Sequence, residues 1–242
     1  MRSSFVQNGS VYIHVLENGN RSSSVPPLLV IGGLWEPAER ALPLLTGLKS
    51  HVAALSLRGR GLSSTPLTGY DLSHHLTDID AVVRTHGLKD YCVLGFSRGG
   101  SYALGWALAH QRDMAGLIIV DQPPVHQKPG DGYVAYWSNL VYLGVPILNF
   151  MRLEALHGLE RDAVEVDFTS RLSELSIPVA LFIGRNRGAT LPSDLSDEIL
   201  RSYRKALPAC TVVEFTSSGH MIPDEEQEKY INEVESFLTS RA

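Results

Sequence analysis

Gly95-Phe96-Ser97-Arg98-Gly99-Gly100 is the stretch on which the fold of this 242-residue chain turns. The apolar run Tyr91-Cys92-Val93-Leu94 leads into it, and a helix-like stretch carrying Tyr102, Leu104 and Trp106 follows. β-formers that pass through a glycine-flanked serine into a helix make a strand–turn–helix junction with the serine at its apex. Such a tight turn holds the hydroxyl out of the sheet, and glycines flank it because a Cβ there would meet neighbouring backbone. The helix starting at this point also aims its N-terminal amides and the positive end of its dipole at the site of a developing oxyanion. A glycine-rich turn with an incidental serine would show the same letters. The strand before and the helix after are what mark Ser97 as a nucleophile.

Outward from this turn, short β-rich runs alternate with longer amphipathic stretches. Residues 11–16, 28–31, 52–57, 91–96, 117–120, 179–183 and 211–215 read as strands. Residues 38–48, 73–86, 97–110, 193–207 and 225–239 read as helices, several with Ser or Asp near the N-cap. Continuous apolar strands such as L-L-V-I and L-I-I-V are buried on both faces, which predicts a mostly parallel sheet wrapped by helices. The first runs, joined near Asn8-Gly9, read as an antiparallel hairpin at the sheet edge. Residues 22–24, followed by Pro26-Pro27, read as a loop ahead of a strand. The alternation breaks between 122 and 175, where three prolines (Pro123, Pro124, Pro129) precede aromatic-rich helical segments at 133–143 and 147–157 and no strand is evident. That length exceeds what a connection needs. It predicts a small helical cap, 122–175, inserted between core segments 1–121 and 176–242.

Composition excludes several function classes. A hydrophobic fraction of 44% supports a substantial buried core. The 21 basic and 26 acidic residues are spread along the chain for a net charge of −5, so no basic face is offered to a nucleic acid. Neither the polar start nor any later run gives a secretory apolar segment or a membrane span. The expected setting is therefore cytoplasmic and the expected partner a small-molecule substrate, with no nucleic acid and no membrane. Oligomeric state leaves no mark in the pattern. Cys92 and Cys210 each fall in an apolar strand-like run, where reduced thiols behave as small hydrophobes, and neither a disulfide nor a zinc site is expected.

A serine hydroxyl needs a base that titrates near neutrality, and the chain offers nine histidines. His14 falls in an edge strand, and His74, His75, His86 and His110 fall in or at the ends of helices. His220, in Ser218-Gly219-His220 directly after the run 211–215, combines a loop at a strand's C-terminal end with the Ser-before-His order.

Together with the arginine–glycine turn Leu57-Arg58-Gly59-Arg60-Gly61-Leu62-Ser63, these motifs resemble the α/β-hydrolase superfamily over essentially the whole chain. The resemblance implies an α/β-hydrolase fold. It implies less about the reaction, since esterases, lipases, dehalogenases, C–C hydrolases, haloperoxidase-like enzymes and cofactor-free dioxygenases share this fold. It also implies that the backbone N–H groups of Leu34 and Arg98 form the oxyanion hole. Members usually carry His-Gly after the third strand, whereas this chain reads Ile31-Gly32-Gly33-Leu34-Trp35; backbone donors survive that change. The triad acid departs further. The family's G-x-x-D is here Gly184-Arg185-Asn186-Arg187, with an arginine in the acid's place. Some members place the acid one strand earlier, where Asp121 follows the run 117–120, and strand ends in a parallel sheet share one edge. Asp194, Asp197, Asn186 or no acid at all are the alternatives to Asp121.

Trp35, Tyr136 and Trp137, with further cap aromatics, are expected to line an apolar pocket. Some of those aromatics must serve the cap's own core, and His126 and His157 read as solvated cap histidines. The acidic run 224–226 suits the start of the last helix, not a metal site. The sequence thus predicts a carboxylic-ester hydrolase for a small apolar substrate, without metal or cofactor, using Ser97, His220 and Asp121. A cofactor-free dioxygenase-like enzyme built on the His–Asp pair and a non-catalytic ligand receptor are the competing expectations; the intact serine turn favours catalysis over the second of these.

Overall fold

The computed structural model describes residues 1–20 and 24–242, so of the loop read at 22–24 only Ser24 lies within the described residues. Eight strands form the central sheet: β1 (Arg2–Asn8), β2 (Val11–Glu17), β3 (Leu28–Ile31), β4 (Val52–Ser56), β5 (Tyr91–Phe96), β6 (Met114–Val120), β7 (Val179–Gly184) and β8 (Thr211–Phe215). Their spatial order is β1-β2-β4-β3-β5-β6-β7-β8. The pairs β1–β2 and β2–β4 are antiparallel, and every later pair is parallel. Every residue of β3, β4, β5 and β7 is buried, as strands covered by helices on both faces require. β1 is absent from the strands that periodicity predicts, because its sequence buries only Val6. Pairing on β2 through the Asn8–Val11 turn supplies its order instead.

The helices are α1 (Leu42–Gly47), α2 (Leu72–His86), α3 (Arg98–His110), α4 (Tyr133–Ser138), α5 (Leu153–Asp162), α6 (Asp197–Ala206), α7 (Ile222–Glu225) and α8 (Gln227–Thr239). Asp71 caps α2 by accepting the His74 N–H, and Gly87 ends it in the left-handed conformation. The helix expected over 193–207 begins later, with Ser196 as its cap, because Ser193 is engaged elsewhere. The helix expected over 225–239 is two helices, broken at Glu226, whose backbone leaves the helical region.

Residues 122–175 depart from the purely helical expectation. Val125–His126 pairs with Val166–Asp167, and Val141–Tyr142 pairs with Val145–Pro146 in a hairpin. Leu143 and Gly144 both have positive φ, the conformation of a two-residue hairpin turn, and this ends the helical stretch predicted to run to 143. Pro146 follows, a single 3-10 turn occupies Ile147–Asn149, and the next α-helix begins at Leu153. The segment shares its core with the body. Ile147, Ala155, Leu156 and Leu159 are fully buried in one cluster with Leu34, Trp35 and Tyr70, and Gly61 N–H and Arg152 N–H bond across the boundary to Phe150 O and Gly59 O at 2.7 and 2.9 Å.

The β5–α3 junction is closely packed. A Cβ on Gly95 would run into the Gly99 carbonyl oxygen and the Gly100 Cα, and one on Gly99 would run into the carbonyls of Ile31 and Gly32. Only glycine lets α3 descend this closely onto β5 and β3. Gly95→Ala is therefore expected to lower stability by about 1–3 kcal/mol through forced backbone displacement. Urea denaturation checks this, and a wild-type midpoint would contradict the packing described.

Candidate active site

Ser97 sits at the apex of the β5–α3 turn with φ +51°, and Asp121, directly after β6, has φ +47°. Holding a non-glycine residue in this region costs on the order of 1–3 kcal/mol, which the surrounding structure must offset. Two backbone hydrogen bonds do so. Ser97 N–H donates to Val120 O at 2.8 Å and Asp121 N–H to Phe182 O at 2.9 Å, continuing the sheet ladder past the ends of the strands. Because Phe96 is in register with Val120, Ser97 and Asp121 leave adjacent strands at one level.

The Asp121 carboxylate is fully buried. Its Oδ2 accepts from His220 Nδ1 at 2.7 Å, while Oδ1 accepts from Ser193 Oγ at 2.6 Å and from Gly184 N–H at 3.2 Å. A buried charge needs such donors. The sequence presents Ser193 only as the start of a helix, and no local signal connects it to residue 121.

His220 reaches the site from the loop after β8. Its N–H donates to Leu191 O at 2.6 Å, and the acidic run that follows ties the loop down. Ser218 Oγ and Ser217 N–H bond Glu226 Oε2 at 2.8 and 2.9 Å, and Gly219 N–H bonds Glu225 at 2.7 Å. These carboxylates position the loop, a role beyond the helix-dipole part expected of them. With Asp121 accepting at Nδ1, the neutral imidazole carries its proton there. Nε2 is then left as the acceptor for Ser97 Oγ, 2.9 Å away. Burial disfavours protonation of His220, but the hydrogen bond and charge of Asp121, with Asp194 and Glu36 further off, outweigh it and raise the imidazole pKa above its ordinary value.

Ser97, Arg98, His220, Leu34, Tyr136 and Trp137 share one cavity of about 320 Å³, whose wall also includes Gln122, Gln127 and Tyr133. Its lining is mainly apolar, with Tyr136 and Trp137 where they are expected and these polar side chains added. At its edge the Leu34 carbonyl accepts from the buried Arg60 Nε at 2.8 Å, which fixes the Leu34–Trp35 peptide next to the one that carries the Leu34 N–H. Arg98 is the first residue of α3, so its N–H has no acceptor within the helix. Leu34 and Arg98, whose amides are the expected oxyanion donors, both line the cavity that holds Ser97.

Other expectations are corrected. Trp35 does not line this cavity: it is 5% exposed and packs on Tyr142 and Phe150 with ring centroids 5.5 and 5.6 Å away. The Arg40 guanidinium lies over its ring at 5.5 Å. It fastens 122–175 to the body. His126 is fully buried rather than solvated, bonded to Ser101 Oγ at 2.8 Å. Arg187 is exposed. Arg185 pairs with Asp197 and Glu214 at 2.9 and 2.6 Å, Asn186 bonds Ser217 O and Gly188 N–H, and Asp194 is exposed at the cavity rim. None of Asn186, Asp194 and Asp197 is hydrogen-bonded to His220. Among the described residues, no group of three or more His, Cys, Asp or Glu is placed to hold a metal ion, and no helix is long and apolar enough to cross a membrane.

Residues 26–178 match the family model described as alpha/beta hydrolase fold. The chain is similar to N-formylmaleamate deformylase from Pseudomonas putida, with 27% identity over 98% of each sequence. Among solved structures, an esterase from Exiguobacterium antarcticum superposes with a TM-score of 0.79 at 18% identity, covering 98% of this chain and 100% of that one. A bromoperoxidase from Bacillus anthracis superposes at 0.81 with 15% identity, again over 98% and 100%. These likenesses concern the fold, and names as different as esterase and bromoperoxidase show that the fold alone selects no reaction.

The electrostatics of the His220–Asp121 pair can be read by NMR titration of the imidazole. Its midpoint is expected above 6.5 in the wild type. In Asp121→Asn, where burial is left largely unopposed, it should fall below 6.5. Because the folded-state pKa is raised, the pair's contribution to stability is complete below the ordinary value and is lost as pH rises through the folded one. An unmoved midpoint in the variant would show that Asp121 does not control His220.

Proposed function

The chain belongs to the α/β-hydrolase fold family, and from that footing we propose that it is a serine hydrolase of small carboxylic esters, with Ser97 as nucleophile, His220 as general base and acid, and Asp121 as the residue that fixes the imidazole tautomer. The observation that carries this reading is the unbroken chain from Ser97 Oγ to His220 Nε2 at 2.9 Å and from His220 Nδ1 to Asp121 Oδ2 at 2.7 Å. A nucleophile, its base and the base's orienting acid stand within hydrogen-bond reach in the required order.

In this mechanism Ser97 Oγ attacks the ester carbonyl carbon as its proton passes to His220 Nε2. Positive charge on the imidazole is met by the Asp121 carboxylate, which accepts hydrogen bonds throughout and is not itself protonated. The N–H groups of Leu34 and Arg98 receive the tetrahedral oxyanion; Arg60 acts on this step at one remove by holding the adjacent Leu34–Trp35 peptide. Collapse breaks the C–O bond, and the leaving alcohol takes the proton from Nε2. Water, deprotonated by the same nitrogen, then attacks the acyl-serine carbonyl and releases the acid and free Ser97. A cavity of about 320 Å³ suits a small substrate. Residues 122–175 serve as the cap over it, with Tyr133, Tyr136 and Trp137 as its wall. The deformylase to which the chain is similar in sequence over 98% of its length supports hydrolysis over oxygen chemistry, and so does the position of Ser97 Oγ on Nε2.

Reaction with a fluorophosphonate is expected to label Ser97, located by peptide mass spectrometry. On a short-chain aryl ester, Ser97→Ala should lower kcat by about 10⁶-fold and Asp121→Asn by about 10⁴-fold, with circular dichroism unchanged in both. Full turnover by Ser97→Ala would overturn the assignment.

A further inference from the structure

Arg98 brings to the cavity beside Ser97 a positive charge that the protein does not neutralise. Its Nε donates to the Tyr102 hydroxyl at 3.1 Å, Nη1 to the Gln127 carbonyl at 3.0 Å and Nη2 to His126 Nε2 at 3.2 Å. All of these acceptors are uncharged. Burial first, then the charge of Arg98, pushes the His126 pKa down to about 3. The tautomer is consistent with this. His126 Nδ1–H faces Ser101 Oγ at 2.8 Å, and the Ser101 hydroxyl donates onward to the Arg98 carbonyl at 2.7 Å. Arg40, half-buried like Arg98, and the buried Arg58 each meet a carboxylate. Among the described residues no Asp or Glu lies within ion-pair distance of Arg98. The same holds for Arg60, fully buried and close enough to Arg98 for their charges to repel. Withdrawing an unpaired guanidinium from water is costly, wholly so for Arg60 and in part for the half-buried Arg98.

A second group points the same way. The Tyr133 hydroxyl is buried without a hydrogen-bond partner. Its pKa, raised by burial to about 12, keeps it a donor. Arg98 and Tyr133 line the same cavity as Ser97. A guanidinium has five N–H hydrogens, and the contacts to Tyr102, Gln127 and His126 engage three. Unused donors and an uncompensated positive charge therefore stand in a small cavity beside the nucleophile. The carboxylates nearby do not answer them: Asp121 is committed to His220, Ser193 and Gly184, Glu36 to Gly33 N–H and Arg40, and Asp194 is exposed at the rim. A ligand carboxylate supplies both the acceptors and the charge.

We propose that the substrate carries a carboxylate of its own, seated on the Arg98 guanidinium and the Tyr133 hydroxyl, so that the ester cleaved is the half-ester of a short dicarboxylic acid and not a neutral ester. This deepens, and rests on, the serine-hydrolase reading above. Water is the only co-reactant, and the products are the dicarboxylate and an alcohol.

Monoethyl fumarate and ethyl crotonate test this, since they present the same scissile ester and differ in a carboxylate or a methyl group at the far end. The trans double bond also prevents the carboxylate from attacking its own ester. The wild type should favour monoethyl fumarate in kcat/KM by about 10- to 100-fold, the range for a charge-assisted hydrogen-bonded pair. In Arg98→Gln that ratio should collapse to about 1, and in Tyr133→Phe it should fall several-fold. Using the ratio within each variant cancels general damage to the site. A wild-type ratio of 1 or below, or an Arg98→Gln protein that loses both activities equally and keeps the ratio, overturns the proposal. If neither ester is cleaved, calorimetry with fumarate decides: binding to the wild type that is lost in Arg98→Gln supports the carboxylate site, and no binding to the wild type rejects it. Fluorophosphonate labelling of Ser97 judges the hydrolase reading separately, so failure of one is distinguishable from failure of the other.

Discussion

A carboxylate cut off from water has to be satisfied by the protein that buries it, and around Asp121 this requirement organises three separate parts of the chain. Gly184 N–H comes from the end of β7, Ser193 Oγ from the connection toward α6, and His220 Nδ1 from the loop after β8. Each would be free to settle elsewhere if the charge were absent. Glycine at 184 belongs to the same constraint, because a Cβ there would strike the Gly219 carbonyl and push the histidine loop off its seat. The imidazole is in this way oriented from its far side before Ser97 is considered at all, and the serine meets an acceptor whose direction is already set.

The two arginines of the Arg58-Gly59-Arg60-Gly61 turn show how neighbouring residues are given unlike tasks. Arg58 makes an ion pair with the buried Asp78, bonding both carboxylate oxygens at 2.6 and 2.7 Å. It thereby locks α2 to the turn. Arg60, two residues on, directs Nε and Nη1 to backbone carbonyls and to the uncharged His75, while its Nη2 is buried without a partner. One arginine is a structural pin; the other braces the Leu34–Trp35 peptide while adding to the positive potential felt at the cavity.

How much of this the sequence discloses depends on whether a feature is local. Ser97 was legible because strand, glycines and helix lie within a few residues of it. His220 was legible by elimination among histidines and by its place after a strand. Asp121 was reachable only through the parallel-sheet argument that strand ends share an edge, since its partners lie 63 to 99 residues away. Ser193 was not legible, because a serine ahead of a helix reads as a cap whichever way its hydroxyl turns. Trp35 misled for the opposite reason: an aromatic beside the oxyanion turn looks like a pocket wall until Tyr142 and Phe150 are seen to cover it. The central strands are predictable from apolar content, whereas β1 and the two short strand pairs of 122–175 owe their order to partners and not to their own pattern.

The placement of His220 has a consequence for how the molecule comes into being. Ser97 and His220 are separated by 123 residues and Asp121 and His220 by 99, and the strand that delivers the imidazole, β8, lies at the open edge of the sheet with β7 alone as neighbour. A chain emerging from the ribosome therefore displays the strained serine turn and the carboxylate strand long before it has a base to serve them. Until β8 docks, Asp121 is a charge with one ring missing from its shell, and Ser97 is an ordinary alcohol. Contacts this distant in sequence close late in folding. In the proposed mechanism, chemical competence thus arrives only with completion of the sheet.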